Sequence, residues 1–284
     1  MANLRDKYCI VGVGETEFSK NSGRTTRALG TEAVKKAILD AGLTPKDVDG
    51  MLSYNGGDSS TSPALASDLG IHLHFYMDCW GGGSSTEALV GLAMGAIEVG
   101  MCHTVAIWRA MNGYSEVRIG GTGVRSATPV RESLLLTRPY GLMSAAQNFS
   151  FSFVRHMMQY GVTNEQLANI AVIQSRHASN NPKAVYKKQV TVQEVLDSPW
   201  VIKPWCHRYD CCVETDNGTC LIVTSAERAR DLRQRPIHIM GVAGRVCQPR
   251  GSETVYQHFP DMTRVAGRYA APIVFGMAGV GPED

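Results

Sequence analysis

Ile10-Val11-Gly12-Val13-Gly14 returns late in the chain as Ile239-Met240-Gly241-Val242-Ala243-Gly244, and Ala41-Gly42-Leu43-Thr44-Pro45-Lys46-Asp47 returns as Ala278-Gly279-Val280-Gly281-Pro282-Glu283-Asp284. Each time, an apolar string rich in glycine comes first, and a small-residue helix end followed by proline and an acidic residue comes second. Short apolar strings match by chance, but two matches in the same order point to a duplicated unit. The expected architecture is therefore a pair of αβ halves, the first complete and the second only begun.

The first copy shows what one half contains. Residues 7–18 open with an apolar run that ends in glycines, the pattern of a buried strand leading into a loop. Leu29, Ala33, Val34, Ala37, Ile38 and Ala41 then recur at helical spacing over 26–41, and Gly42 stands where a left-handed residue ends a helix. Thr44 with Pro45 starts another turn, and 51–54 returns as a strand. A second βαβ unit has a strand over 74–80, the turn Gly81-Gly82-Gly83, a capping box Ser84-x-x-Glu87, and a helix whose Ala88, Leu89, Leu92, Ala93, Ala96 and Ile97 share a face. Gly100 ends that helix and 104–108 is the returning strand. Successive βαβ units call for a mostly parallel sheet covered by helices.

From 112 to about 199 the periodicity changes. A loop rich in glycine and arginine precedes helical stretches over 144–160 and 163–179, the latter with a capping box Thr163-x-x-Gln166 and the stop signal Asn180-Asn181-Pro182. A β-branched run over 220–224 and the polar turn Ser225-Ala226-Glu227-Arg228-Ala229-Arg230 resume the sheet pattern. The expected divisions are 1–112 for the first part of the N-terminal half, 113–199 for an inserted loop domain, 200–235 for the rest of that half, and 236–284 for the start of a C-terminal half.

With 284 residues, 44% hydrophobic and 19% charged, the chain can bury a large core. Its formal charge of +2, without runs of like charge, argues against a nucleic-acid partner. No apolar stretch reaches the roughly 20 residues that span a bilayer, and the first residues lack the apolar core of a signal peptide, so a cytoplasmic location is expected. Eight cysteines, scattered singly except for Cys211 and Cys212, read as small buried hydrophobes rather than a disulfide framework.

The order and spacing of several segments resemble the thiolase superfamily, and within it the lipid-transfer branch related to sterol carrier protein X. These are Gly12-Val13-Gly14-Glu15-Thr16, Ala41-Gly42-Leu43-Thr44-Pro45-Lys46-Asp47-Val48-Asp49-Gly50, the turn Gly81-Gly82-Gly83-Ser84-Ser85 with its helix to Gly100, Arg138-Pro139-Tyr140-Gly141-Leu142-Met143-Ser144-Ala145, and Val223-Thr224-Ser225-Ala226-Glu227-Arg228-Ala229. The resemblance covers essentially the whole chain and implies an αβαβα layered fold with duplicated halves and a loop domain inserted in the first.

Thiolases carry a catalytic cysteine on the turn before the helix that matches residues 86–99, and the family's spacing from Gly100 lands on Gly83. Glycine cannot be acylated, so the covalent step of acyl transfer is lost. Backbone N–H groups around Gly82, Gly83 and Ser84 can still face the oxygen of a developing enolate. The branch includes aldolases that shorten a steroid or similar side chain on coenzyme A, releasing a ketone and a small acyl-CoA, together with a partner carrying an OB fold and a zinc ribbon. The implied function is thus a retro-aldolase acting on a β-hydroxyacyl-CoA. It has the CoA thioester as substrate, no bound cofactor or metal, and a homodimeric or heteromeric assembly.

Its acid and base would be tyrosines lying past Asp284. Tyr140 and Tyr256 match no such motif, and no catalytic side chain is assigned within the chain. Leu142, Met143 and Ser144 fall on the segment that lies over the pantetheine arm, and serve equally as helix-entry packing. Arg125, Arg131 and Arg138 are candidate phosphate contacts or plain surface arginines.

Two other functions stay open. One is an acetyl-CoA acetyltransferase or 3-ketoacyl-CoA thiolase using Cys79, four residues before Gly83, as nucleophile; the other is a non-catalytic acyl-CoA or lipid carrier. Cys206-His207 with Cys211-Cys212 has zinc-binding residue types but not the paired spacing of a zinc site. Asp210 and Asp216 read as solvated or capping groups. Gly12-x-Gly14 lacks the third glycine of a dinucleotide fingerprint, and the turn at Gly81 lacks the Lys-Ser/Thr of a P-loop.

Overall fold

The computed structural model describes residues 4–115, 138–142, 144–244 and 261–284. The chain divides into two compact units, one of Met1–Val117, Thr215–Val246 and Ala266–Asp284, the other of Arg118–Glu214 and Cys247–Val265. In chain order the first unit begins with β1 (Tyr8–Glu15), α1 (Thr26–Asp40), β2 (Gly50–Asn55), α2 (Ser62–Leu69), β3 (Phe75–Trp80), α3 (Ser85–Glu98) and β4 (Thr104–Asn112). The second unit holds α4 (Ala145–Tyr160), α5 (Asn164–Asn180), α6 (Val192–Leu196), β5 (Trp200–Ile202) and β6 (Cys206–His207). The first resumes with β7 (Asp216–Ser225), α7 (Ala226–Ala229), β8 (Ile237–His238) and α8 (Gly267–Ala278).

The six strands of the first unit stand in the order β3-β2-β4-β7-β1-β8. β2 pairs in parallel with β3 and β4, whereas β7 lies antiparallel between β4 and β1, so β1 to β4 share one direction. Alternate side chains of the central strands feed two cores, which is why these strands read as nearly continuous apolar runs. Met51, Trp108 and Ile222 join Leu29, Val34, Ile38 and Leu65 from α1 and α2 on one face. Leu52, Ile107 and Val223 join Leu89, Ala93 and Met94 of α3 on the other.

The repeat seen in the sequence is carried by the same local packing in both places. A Cβ on Gly12 would lie 2.4 Å from the carbonyl oxygen of Ala37 and 2.9 Å from the Ala41 Cβ; on Gly241 it would lie 2.5 Å from that of Val274 and 3.3 Å from the Ala278 Cβ. Each glycine thus lets the backbone, of β1 at Gly12 and of the segment after β8 at Gly241, press on the last turn of a helix. Each helix then stops at a left-handed glycine, Gly42 at φ +76° and Gly279 at φ +66°. The following turns close alike, with Asp47 Oδ2 accepting from Thr44 N and Asp284 Oδ2 from Gly281 N, both at 2.8 Å.

The strands outrun their sequence signals: β4 continues to Asn112 and β7 begins at Asp216. α2, α6 and the β5–β6 hairpin were not legible at all. In the second unit, α4, α5 and α6 each start with a formed capping box, at Ser144, Thr163 and Thr191. Ala168, Ala171, Val190 and Val195 make its small core. Among the described residues, no helix is long and apolar enough to cross a membrane.

Candidate active site at the glycine turn

The parallel strands end together at one edge of the sheet, where open α/β folds place their ligands. Gly81-Gly82-Gly83-Ser84 leaves β3 at that edge and enters α3. Gly81 N donates to Asn55 O of β2 at 3.3 Å, tying the turn to the neighbouring strand end. Ser85 N then donates to Gly82 O at 2.9 Å and Thr86 N to Gly83 O at 3.2 Å, so the helix starts on its own backbone. The capping box expected at Ser84 does not form. Ser84 sits at φ −65°, ψ −5°, helical rather than extended, and its hydroxyl makes no cap bond.

Two physical consequences bear on chemistry. Among the described residues, the amides of Gly82, Gly83 and Ser84 donate to no protein acceptor, and they stand at the positive end of a 14-residue helix. A Cβ added at Gly82 or Gly83 meets no atom of the described residues within 4 Å, and neither glycine has a positive φ. Neither sterics nor backbone conformation therefore requires glycine at Gly83.

Cys79 is half-buried and pairs in register with Tyr54 of β2. It packs against the α3-side core with Leu52 and Leu89 and has no hydrogen-bond partner among the described residues. That is the setting of a packing thiol rather than one paired with a base.

Sequence reading missed the charged group beside this turn. Asp58 and Arg109 form an ion pair of 2.5 Å whose side chains are 8% and 12% exposed. Asp58 Oδ1 also accepts from Gly56 N at 2.9 Å, and the guanidinium lies 4.9 Å from the centre of the Tyr54 ring. Ser59 Oγ donates to Ala110 O at 2.8 Å. The loop after β2 is thereby clamped to β4, and a Cβ added on its Gly57 would lie 3.9 Å from the Trp80 ring. The available signal was an arginine directly following the apolar run 104–108.

Asp216, expected to be solvated or capping, is fully buried. It accepts from the amides of Ser22, Tyr114 and Ser115 at 2.8, 3.1 and 3.2 Å and from the hydroxyls of Ser22 and Ser115. Burial alone would raise its pKa, but these donors outweigh it and hold the carboxyl below its ordinary range. Asp210 is a capping group, its Oδ2 accepting from His207 N at 2.7 Å.

In the second unit, Ser144 caps α4: its Oγ accepts from Gln147 N at 3.3 Å, and its amide donates to Gln147 Oε1 at 2.9 Å. Leu142 is half-buried and Tyr140 is 89% exposed, a surface tyrosine. Met143, Arg125, Arg131 and Tyr256 lie outside the described residues, as does the side chain of Arg138. At the opposite edge of the sheet, Asp49, His72, His74, His103 and Arg228 line a cavity of about 300 Å³. Among the described residues, no three His, Cys, Asp or Glu side chains are placed to hold a metal ion.

No family description matches the chain. It is 39% identical over 248 residues to the steroid side-chain-cleaving aldolase of Thermomonospora curvata, an alignment covering 86% of this chain and 63% of that protein. It is 37% identical over 266 residues to the 17-hydroxy-3-oxo-4-pregnene-20-carboxyl-CoA lyase of Mycobacterium tuberculosis, covering 91% of this chain and 68% of that one. Among solved structures, the Ltp2-ChsH2(DUF35) aldolase superposes with a TM-score of 0.87 at 34% identity, over 99% of this chain and 72% of that one. The chain thus spans about two thirds of the length of these relatives.

Proposed function

The chain belongs to the thiolase-like family that contains the steroid side-chain-cleaving aldolases, and on that premise we propose that the protein is a retro-aldolase acting on a β-hydroxyacyl-CoA. The observation that carries this reading is Gly83, a residue without a nucleophile, at a turn whose amides meet no acceptor and whose added Cβ meets no atom among the described residues. A base removes the proton of the β-hydroxyl, the Cα–Cβ bond breaks to leave a ketone, and the electron pair moves into the thioester as an enolate. The amides of Gly82, Gly83 and Ser84 stabilise the enolate oxygen before an acid protonates the carbon. No acyl-enzyme forms, and Cys79 serves packing. The family resemblance assigns the acid and base to tyrosines in a stretch that these 284 residues do not include.

The substrate is a steroid or similar lipid side chain, by analogy with the relatives' names. Leu142, Met143 and Ser144 are the proposed pantetheine-facing segment. A cytoplasmic homodimer is proposed, joined along β3, an edge strand that exposes Tyr76, Met77 and Trp80. The further partner is an OB-fold and zinc-ribbon protein by the family resemblance; the joint name of the Ltp2-ChsH2(DUF35) aldolase supports the presence of a second protein. The test is to incubate the protein and its partner with a β-hydroxyacyl-CoA and follow products by mass spectrometry. Equal amounts of ketone and shortened acyl-CoA, with no acylated peptide after acid quenching, are expected. Acyl-Cys79 would establish the acyltransferase instead, and tight binding without turnover would establish a carrier.

A further inference from the structure

Cys206 and Cys211 are five residues apart in sequence, yet their sulfurs lie 3.5 Å from each other, at van der Waals contact. The approach is built by the turn between them. His207 N donates to Asp210 Oδ2 at 2.7 Å and Cys211 N to Arg208 O at 3.4 Å, which folds residues 208–210 into one helical turn and brings Cys211 back over β6. The His207 ring fixes the base of this turn: Nδ1 bonds to Ser198 O at 2.9 Å, and the ring packs on Trp200 with centroids 3.6 Å apart. The two thiols differ in access. Cys206 is buried and Cys211 half-buried, while the adjoining Cys212 is exposed.

We propose that Cys206 and Cys211 are an oxidative modification site, a dithiol that closes reversibly to an intramolecular disulfide on reaction with a small disulfide of the glutathione class. The sulfurs need to approach by about 1.5 Å to reach the bond length of about 2.05 Å. Burial and the neighbouring Cys211 push the Cys206 thiol up, and Cys211 is the more accessible of the two sulfurs, so Cys211 is the attacking group. The Cys211 thiolate attacks one sulfur of the small disulfide; that S–S bond breaks, a mixed disulfide forms, and the departing thiolate takes up a proton. Cys206 then attacks the Cys211 sulfur, the mixed bond breaks, and a second small thiol leaves with the Cys206 proton. Two electrons pass from the dithiol to the small disulfide, and two small thiols are released. The product links β6 to the far side of its turn, and added thiol reverses it.

Trypsin cuts after Arg208, between the two cysteines, so the bond is readable as a cross-linked peptide pair. The chain is incubated with oxidised glutathione near pH 8, acid-quenched, alkylated and mapped without reduction. A species 2 Da lighter that joins the peptide containing Cys206 to the Cys211 sulfur, lost on reduction, is expected. Cys206→Ser should trap a glutathione adduct on Cys211 instead, with circular dichroism confirming that the variant is folded. The proposal is overturned if the native chain carries stable glutathione on Cys211 or Cys212 without the cross-link, or if Cys211 bonds to Cys212. An unfolded Cys206→Ser variant would leave the native-chain mapping to decide.

Discussion

Replacing Arg109 by methionine keeps the length and much of the volume of the side chain but strips the charge from the pair beside the glycine turn. Asp58 would then stay 8% exposed with one remaining hydrogen bond, from Gly56 N. Removing one member of a buried pair typically costs about 3–5 kcal/mol, because the other charge is left uncompensated. Loss of the guanidinium above Tyr54 adds about 0.5–1 kcal/mol. Asp58→Asn alone should also destabilise, since among the described residues the guanidinium would retain only its 3.3 Å bond to Ala110 O, and its Nε already lacks a partner there. The double variant, with no charge left to bury, should lose less than the sum by about 2–3 kcal/mol. Urea unfolding followed by far-ultraviolet circular dichroism measures all four corners of the cycle. Single losses below about 1 kcal/mol with no coupling would mean that solvent reaches the pair and that it does not clamp the loop.

Two further substitutions separate packing from chemistry. Gly83→Ala should change stability by less than about 0.5 kcal/mol, whereas Gly12→Ala and Gly241→Ala, whose new Cβ would meet a carbonyl oxygen at 2.4 and 2.5 Å, should each cost about 1–3 kcal/mol or more; the same unfolding assay tests this, and equal losses at all three would refute it. Asp49 faces burial that would raise its pKa, but the Thr104 and His103 amides and the His103 ring hold it below the ordinary range. Its contribution is therefore complete above the unfolded value of about 3.9 and fades as pH falls through the lower folded value. Asp49→Asn should cost about 1–3 kcal/mol at pH 7, and the gap to the native chain should narrow at acid pH; a gap independent of pH would refute it.

The fold was legible where one periodicity spanned a whole element. α1 repeats its apolar residues on one face, and β2 and β4 are apolar on both faces because both are covered. α2 escaped because Ser62-Pro63-Ala64-Leu65-Ala66 has too few apolar positions to mark a face in eight residues. At the turn, Ser84 and Glu87 have the residue types and spacing of a capping box, but a serine caps only from an extended backbone, and the preceding glycines leave that backbone free to begin the helix early. The ion pair of Asp58 and Arg109 joins residues 51 positions apart, a relation that no local pattern encodes.

Packing dictates some of the glycines and not others. At Gly12, Gly218 and Gly241 an added Cβ would meet backbone atoms at 2.4 to 2.5 Å, so the fold itself demands glycine. At Gly83 an added Cβ meets no atom of the described residues within 4 Å. A residue that the fold leaves free is decided by what the site does. A nucleophile at the N-terminus of α3 would have a depressed pKa and would capture an acyl group from any thioester it met. A glycine there leaves the same free amides to hold an enolate oxygen, with no competing attack on the carbonyl carbon. Under the proposed function, the same strand, turn and helix would support carbon-carbon cleavage without acyl transfer, and one side chain would separate the two reactions.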